Sequence, residues 1–488
     1  MPQIKDFIVA IELGSAKITG IAGKKNADGS LNVLAIAEED SSSCIRKGMV
    51  YNLDKTSLCL TNILKKLRQT LKSEIAMVYV GASGQSIHCE KNVIARQLPD
   101  DTIITQDMIN DIMDNNRAMV YPDMEILDAI TQEYRVGAQL QADPIGIQAK
   151  KLEGNFLNIL QRKTYYRNLN QCFDKAGINI AEMYLAPMAM AESVLTENEM
   201  RGGCVLVDLG AETTTVQVYY KNILRHLAVI PLGGNNITKD IASLSMEEAD
   251  AERMKLEYAS AYTDIEDIEE NGTYKVKEDV TISSKVFIEC VEARVQEIIE
   301  NVSMQIPQEY RNRTLLGGLI LTGGGSNMKD IKKAFRNHTK IEKVRIANTV
   351  KQTVTSSIPE INAQDGTMNT ALGLLAKGDM NCAGTPVNRM GDRDLFSSND
   401  PQRGSQEIRS EGPKQPGVIL SPEERAAIEA KRIREQEIAA EAAAAKAAAT
   451  ANTEATVSET EQGTKKEPFW KKLGRAVTDY GKKIVSDE

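Results

Sequence analysis

The 488-residue chain is poor in the residues that build metal centres, disulfide frameworks and membrane spans. It has three His, one Trp and seven Cys, and no two of the Cys form a CxxC pair. This odd, scattered set predicts reduced thiols, a cytoplasmic setting and no structural zinc site. The chain also lacks an apolar run of about 18 residues, so we expect no transmembrane helix. Its first residues lack the basic and apolar regions of a signal peptide.

An excess of basic residues is also missing, because the formal net charge is −9. Bulk binding of nucleic acid is therefore disfavoured. At 42% hydrophobic residues the chain can bury a sizeable core, and its length allows about two to four domains. Alternating strands and helices are predicted up to about residue 379. The polar, Pro- and Gly-rich stretch that follows predicts disorder, and the Ala-rich segment 422–448 predicts a solvated helical spacer.

The segment Phe7–Gly23 predicts two apolar strands joined by a tight turn. Small residues at Gly14 and Ser15 would let backbone N–H groups approach a phosphate. Lys17 would add positive charge there, and Glu12 would hold a metal-bound water. A hairpin with a glycine turn is common, so this signal is weak by itself.

The segment Gly203–Asn222 has the same plan, with Asp208 and Gly210 ending an apolar strand before a turn at Thr213. Asp208 lies 196 residues after Glu12. Two strand–acid–x–Gly–turn–strand units at this separation predict a duplicated fold. Each half would offer one phosphate-binding hairpin to the cleft between the halves.

A third glycine-rich turn, Gly323, Gly324, Gly325 and Ser326, follows the predicted strand at residues 319–321. Three glycines permit close backbone contact with a flat ligand, and a helix predicted to follow would offer free N–H groups. The spacing matches neither the GxGxxG nor the Walker A motif.

Two supporting segments lie between these motifs. Gly233 and Gly234 open a predicted helix, which is a second anion-friendly terminus. Glu252 and Lys255 lie three residues apart on one helical face. A surface ion pair is the simpler interpretation of Glu252 and Lys255 without further context.

The C-terminal residues 467–488 predict a basic amphipathic helix. Seven basic and four acidic side chains follow from Lys465 onward. On a helix, one arc of roughly 120° would be apolar and the other side basic, as in an interfacial membrane helix. The apolar arc contains Phe469, Trp470, Leu473, Ala476, Val477, Tyr480 and Ile484, and the basic side Lys471, Lys472, Arg475, Lys482 and Lys483. Docking onto this or another protein is the alternative.

Taken in order, these motifs resemble the phosphate 1, phosphate 2 and adenosine motifs of the actin and sugar-kinase ATPases. Within that superfamily the chain resembles the FtsA family of bacterial cell-division proteins from about residue 8 to 378, and again in its terminal helix. The resemblance implies an α/β, actin-like, duplicated ribonuclease-H-like ATPase with two lobes and a 1C insertion. A disordered or helical linker and a C-terminal amphipathic helix would follow.

The family resemblance also implies a subdomain plan for the chain. It places subdomain 1A at residues 1–83, 165–200 and 357–378, 1C at 84–164, 2A at 201–236 and 313–356, 2B at 237–312, the linker at 379–466 and the membrane helix at 467–488.

ATP with Mg²⁺ is the implied cofactor, with Asp208 organising the metal through water. The residues expected at the nucleotide are Glu12, Gly14, Ser15, Lys17, Asp208, Gly210, Thr213, Gly233, Gly234, Glu252, Lys255, Gly323, Gly324, Gly325 and Ser326. Glu212 departs from the glycine run of many relatives and would repel a triphosphate unless it points away or faces the metal. No residue stands out as a catalytic base, so hydrolysis is left open.

The resemblance implies partners as well. Arg294, Glu297 and Asn301 would form a polar strip that receives the C-terminal peptide of the tubulin-like FtsZ, beside an apolar stripe on the same predicted helix. A solvated helix face is the simpler interpretation of that strip. Filament formation, later division proteins bound through 1C, and a peripheral site on the cytoplasmic face of the inner membrane at mid-cell are also implied. A PilM-like adaptor for a membrane-protein peptide and a sugar kinase are the alternatives.

Overall fold

The computed structural model of the protein describes residues 6–269, 271–278, 280–311 and 315–385. The predicted linker from residue 386 onward and the predicted amphipathic helix lie outside the described residues. The strands are β1 (Ile8–Leu13), β2 (Lys17–Lys25), β3 (Leu31–Asp40), β4 (Ile45–Arg46), β5 (Met49–Val50), β6 (Met77–Ala82), β7 (His88–Ile103), β8 (Met124–Val136), β9 (Gln139–Gln141), β10 (Gln148–Arg162), β11 (Asn179–Leu185), β12 (Cys204–Leu209), β13 (Thr214–Tyr220), β14 (Ile223–Ile230), β15 (Thr273–Lys277), β16 (Val280–Ser283), β17 (Gly318–Thr322), β18 (Val344–Ile346) and β19 (Val354–Thr355).

The helices alternate with these strands along the chain, as the sequence predicts. They are α1 (Leu53–Leu71), α2 (Gln106–Arg117), α3 (Lys163–Lys175), α4 (Ala186–Val194), α5 (Glu197–Gly202), α6 (Gly234–Ala242), α7 (Glu248–Tyr258), α8 (Ser284–Gln305), α9 (Gln308–Arg311), α10 (Ile331–Thr339), α11 (Pro359–Asn362) and α12 (Asn369–Lys377). Short 3₁₀ turns occur at Ile265–Asp267 and Gly324–Asn327.

The two lobes repeat one sheet topology, which confirms the predicted duplication. In the first lobe the strand order is β11-β6-β1-β2-β3-β19. In the second it begins β18-β17-β12-β13-β14. In both lobes a central antiparallel meander is extended on one side by two parallel strands. This is the actin-like α/β architecture.

The segment between β6 and α3 forms a separate layer, built from β7–β10 and α2. Its strands continue the second lobe's sheet beyond β14 in the order β7-β10-β8-β9. The layer is therefore inserted into the sequence of the first lobe, but its strands are hydrogen-bonded to the sheet of the second lobe. Thr105 caps α2 by accepting a hydrogen bond from the Met108 N–H. A small core of its own lies under α2, around Ile112, Leu152 and Phe156.

The second lobe's sheet carries apolar side chains on both of its faces, so it contributes to two hydrophobic cores. Because side chains alternate along a strand, Cys204 and Leu206 pack into the first lobe's core, whereas Val205 and Val207 pack against the helices that include α8. This double burial fixes β12, and it fixes Asp208 near the carboxyl end of that strand, at the cleft.

Candidate functional site

The two predicted phosphate hairpins have the same register. Glu12 on β1 is opposite Thr19, and Asp208 on β12 is opposite Thr215. In each turn the glycine N–H donates to the carbonyl three residues later, from Gly14 to Lys17 at 3.1 Å and from Gly210 to Thr213 at 2.9 Å. The duplication therefore extends to the turns where phosphate would approach.

Glu12 and Asp208 lie close together in the cleft between the lobes. Burial, followed by repulsion from Asp208, raises the pKa of Glu12 to about 8. Burial raises the pKa of Asp208 to about 6. Among the described residues no hydrogen bond or ion pair reaches the Asp208 carboxylate. The cleft thus holds two carboxyl groups that a cation would stabilise in their ionised forms.

The glycine turn after β17 leaves room for Asp208. Gly323 has a φ of +81°, and a Cβ there would overlap the Asp208 carboxylate. Ser326 is buried and its hydroxyl donates to the Gly323 carbonyl at 2.7 Å. The predicted helix after this turn is present as α10, which begins at Ile331, and the short 3₁₀ turn Gly324–Asn327 lies before it.

Polar groups of the first hairpin already have protein partners. The Lys17 ammonium lies 2.6 Å from Glu38, and both side chains are partly exposed. The Ser15 hydroxyl accepts from the Gly48 N–H at 2.9 Å. Glu38 and Gly48 were not predicted from the sequence; Glu38 lies on β3 and Gly48 in the turn between β4 and β5. No motif marks either position.

Glu212 reaches from the second lobe to the first. Its carboxylate accepts a hydrogen bond from the Lys47 N–H at 2.7 Å, while the Lys47 carbonyl accepts from the Gln85 N–H at 2.9 Å. The Glu212 carboxylate is therefore directed at the opposite lobe.

A cavity of about 840 Å³ opens beside the second hairpin. Among the predicted residues its wall includes Gly210, Gly233, Gly234, Glu252, Lys255, Gly324 and Gly325. Glu12, Gly14, Ser15, Lys17, Asp208, Thr213, Gly323 and Ser326 are outside that wall. The cavity therefore brings together residues of four predicted segments, and one of them, Gly210, lies in the turn of the hairpin that carries Asp208.

One part of the cavity wall is apolar and aromatic. Tyr258 and Tyr274 both line it, and their rings stack with centroids 4.5 Å apart. Val295, Ile298 and Ile299 of α8 form another part of the wall. The part that these α8 residues play in the cavity wall was not predicted, although their helical spacing is visible in the sequence.

Lys255 is a wall residue and not one member of a simple surface pair. Its side chain is 11% exposed and its ammonium lies 2.7 Å from the Glu252 carboxylate. It also donates to the Thr238 hydroxyl at 2.9 Å and to the Gly234 carbonyl at 3.4 Å. Lys255 therefore links α7 to the first turn of α6.

The predicted polar strip on α8 is connected to α6. Arg294 Nε and Nη2 contact the two Asp240 oxygens at 2.5 and 3.0 Å, and Nη1 contacts Glu297. Asn301 donates to the Glu297 carbonyl at 2.8 Å. The contact of Asp240 with Arg294 was not predicted, because the two residues lie 54 positions apart in the sequence. The adjoining apolar stripe on α8 is buried and consists of Phe287, Val291, Val295, Ile298 and Val302.

Clustered metal ligands and membrane-spanning helices are both absent from the part of the chain that the structure describes. Within residues 6–385, apart from the gaps given above, no group of three or more His, Cys, Asp or Glu is arranged to hold a metal ion. In the same part of the chain, no helix combines the length and apolar character needed to cross a bilayer. The predicted membrane-binding residues lie outside the described residues.

Comparisons with known proteins identify a family. A model described as "Cell division protein FtsA" matches residues 205–373, and one described as "SHS2 domain inserted in FTSA" matches residues 84–160. Cell division protein FtsA of Neisseria meningitidis is 30% identical over 337 residues, which cover 68% of this chain and 81% of that protein. The Porphyromonas gingivalis protein of the same name is 28% identical over 345 residues, with 69% and 71% covered.

A solved structure supports the fold. The PilM–PilN type IV pilus biogenesis complex matches with a TM-score of 0.53 at 14% identity, covering 77% of this chain and 98% of that one. At that identity the similarity bears on architecture alone.

Proposed function

The chain belongs to the FtsA family of cell division proteins, and from this premise we propose that it binds ATP with Mg²⁺, polymerises and tethers the FtsZ ring to the membrane. The observation that carries the nucleotide part of the proposal is the cavity of about 840 Å³. Glycine backbones form its polar wall and a tyrosine pair with α8 forms its apolar wall. That division suits a ligand with a phosphate end and a flat base end.

Magnesium suits the donor set at the cleft. The Asp208 carboxylate is buried, without a partner among the described residues, and directed into space that Gly323 keeps open. Asp208 would hold the metal through water, and Glu12 would be the second carboxylate near it. A bound Mg²⁺ would neutralise phosphate charge. The proposal covers binding of the nucleotide and leaves its hydrolysis open.

The nucleotide site can be tested with a matched pair of glycine variants. A Cβ at Gly233 would lie 2.6 Å from the Gly210 carbonyl, whereas one at Gly137 meets nothing within 4 Å. We expect Gly233→Ala to abolish MgATP binding in calorimetry, and Gly137→Ala to leave it unchanged. Equal binding by both variants and the wild type would contradict the site.

The partner surface in the proposal is the polar strip on α8. Arg294 is a quarter exposed and Glu297 about half exposed, so a peptide from solvent can reach both. Asn301 borders them one turn further along α8. An FtsZ C-terminal peptide would lie along this strip, and later division proteins would bind the 1C layer.

Membrane attachment would reside in residues 467–488. The basic side would meet anionic lipid, which contributes up to about 1 kcal/mol per Lys or Arg. Phe469, Trp470 and Leu473 would enter the apolar boundary. One tail would bind weakly, while a filament that carries many tails would bind firmly through effective concentration. The protein would then be peripheral, on the cytoplasmic face of the inner membrane at the division site.

Vesicle co-sedimentation tests the tether. Full-length protein and a version ending at Lys466 are compared on anionic liposomes, with MgATP and without nucleotide. We expect only the full-length protein to pellet, and to pellet more with MgATP. If both forms stay in the supernatant, the proposed attachment to the membrane is wrong, and the tail is instead a ligand for a protein. A Trp470→Glu, Leu473→Glu variant should behave like the shortened protein without a change in thermal unfolding.

A further inference from the structure

Helix α6 spans the distance between the nucleotide cavity and the α8 strip. Its N-cap Gly233 and first residue Gly234 belong to the cavity wall. Asp240, in its last turn, holds Arg294 on α8. One short helix therefore has a different site at each end.

The two carboxylates around Arg294 have different positions and exposures. Asp240 occupies two guanidinium nitrogens in a forked contact, and 30% of its side chain is exposed. Glu297 occupies Nη1, and 48% of its side chain is exposed. A forked carboxylate contact fixes the plane of a guanidinium. Asp240 thus sets the orientation of Arg294, while the more exposed Glu297 contacts only Nη1.

The same two helices also meet in the core. Ile237 and Ile241 of α6 are buried in the cluster that contains Val291 and Val295 of α8. Ile237 and Val295 additionally line the cavity. Lys255 holds the N-terminal turn of α6 from the cavity side, through the Gly234 carbonyl and the Thr238 hydroxyl. A ligand in the cavity therefore contacts both elements that position Arg294.

We propose that Asp240 is a positioning residue through which nucleotide in the cavity orients Arg294 for the partner peptide. The proposal rests on the proposed function, since it concerns regulation of that peptide site. Nucleotide would restrain α6 at its phosphate end, and Asp240 would transmit that restraint to Arg294. Peptide and nucleotide would then bind cooperatively, and each would raise the affinity of the other by the same factor.

Peptide titrations with and without nucleotide provide the main test. The probe is a synthetic peptide of the C-terminal residues of the cognate FtsZ, titrated into full-length protein with and without saturating MgATP. We expect MgATP to tighten peptide binding by about fivefold or more, and peptide to tighten MgATP binding equally. Peptide affinity that is the same with and without MgATP in the wild type would overturn the proposal.

Two charge-neutralising variants separate coupling from simple electrostatics. Asp240→Asn and Glu297→Gln each remove one carboxylate from Arg294, but only Asp240 lies on α6. We expect the coupling factor to fall to about one in Asp240→Asn, to persist in Glu297→Gln whatever its own peptide affinity, and to return in Asp240→Glu. An equal loss of the factor in the Asp240→Asn and Glu297→Gln variants would show a charge effect and would sink the idea.

Cys290 gives a readout that needs no partner. It is partly exposed on α8, and Asp240 and Arg294 both influence its thiol, whose pKa burial raises most. We expect MgATP to change its labelling rate by about threefold in the wild type and not in Asp240→Asn. An unchanged rate in wild-type protein with MgATP bound would refute the proposal. If Cys290 responds but the peptide never binds, the peptide site fails while the coupling of the cavity to Arg294 stands.

Discussion

The two hairpins of the cleft share one backbone plan but satisfy their charges differently. In the first, Lys17 is neutralised by Glu38 from the neighbouring strand of its own lobe. In the second, Glu212 takes its partner, the Lys47 N–H, from the opposite lobe. Asp208 influences the pKa of Glu12, whereas burial alone accounts for the raised pKa of Asp208. Duplication thus preserved the turns, while the residues around them give the first hairpin a local role and the second a role across the cleft.

The largest expected effect comes from closing the space beside Asp208. Gly323→Ala would place an alanine at a left-handed φ, where a side chain is strained, and its Cβ would overlap the Asp208 carboxylate. We expect the free energy of unfolding to fall by about 2–4 kcal/mol, with loss of nucleotide binding. Gly29→Ala is the control, because Gly29 has a φ of +80° and nothing within 4 Å. Its cost should be about 1 kcal/mol, and denaturant titration of both variants measures the difference.

The second effect distinguishes the two acidic residues. Asp208→Asn should weaken MgATP binding by about tenfold or more, as expected for a residue that orients metal-bound water. Glu12→Gln should cost less at pH 7, because the protein without nucleotide already holds Glu12 largely protonated. Calorimetry on both variants, with Mg²⁺ and with EDTA, measures this ranking. A larger loss in Glu12→Gln would reverse the assigned roles.

The pH dependence of stability and of nucleotide binding also distinguishes Glu12 from Asp208. Because the pKa of Glu12 is raised to about 8, the folded protein without nucleotide holds an extra proton between about pH 5 and 8. Its unfolding free energy should therefore fall as pH rises through that window. MgATP should favour the ionised form, so affinity should rise from about pH 6 to 9, with about one proton released per nucleotide at pH 7. Calorimetry in buffers of different ionisation enthalpy counts that proton, and Glu12→Gln should release almost none.

Short sequence patterns predicted much of this fold and part of the wall of the cavity beside the second hairpin. Apolar strands ending in Glu12 and Asp208, and the glycines at 233–234 and 323–325, can be recognised because turn chemistry restricts residue type. The partners of these residues were not predictable. Glu38, Lys47 and Asp240 reach the site only through tertiary packing, at sequence separations of 21, 165 and 54 residues. The 3₁₀ turn before α10 was missed for a related reason, since Gly-Gly-Ser-Asn is compatible with either a cap or a turn.

The smallest expected effect lies in the contact between the lobes. Glu212→Gln keeps an oxygen that can accept from the Lys47 N–H but removes the negative charge near the proposed phosphate site of the cleft. Since exposed charge interactions contribute about 0.2–1 kcal/mol, affinity for MgATP relative to MgADP should rise by up to about fivefold. Lys47→Ala is the matched control, because the donor to Glu212 is the backbone N–H and survives that change. If general charge in the cleft sets the preference, losing the Lys47 ammonium should lower it; a fall in Lys47→Ala as large as the rise in Glu212→Gln would therefore assign the effect to general charge and not to the position of Glu212.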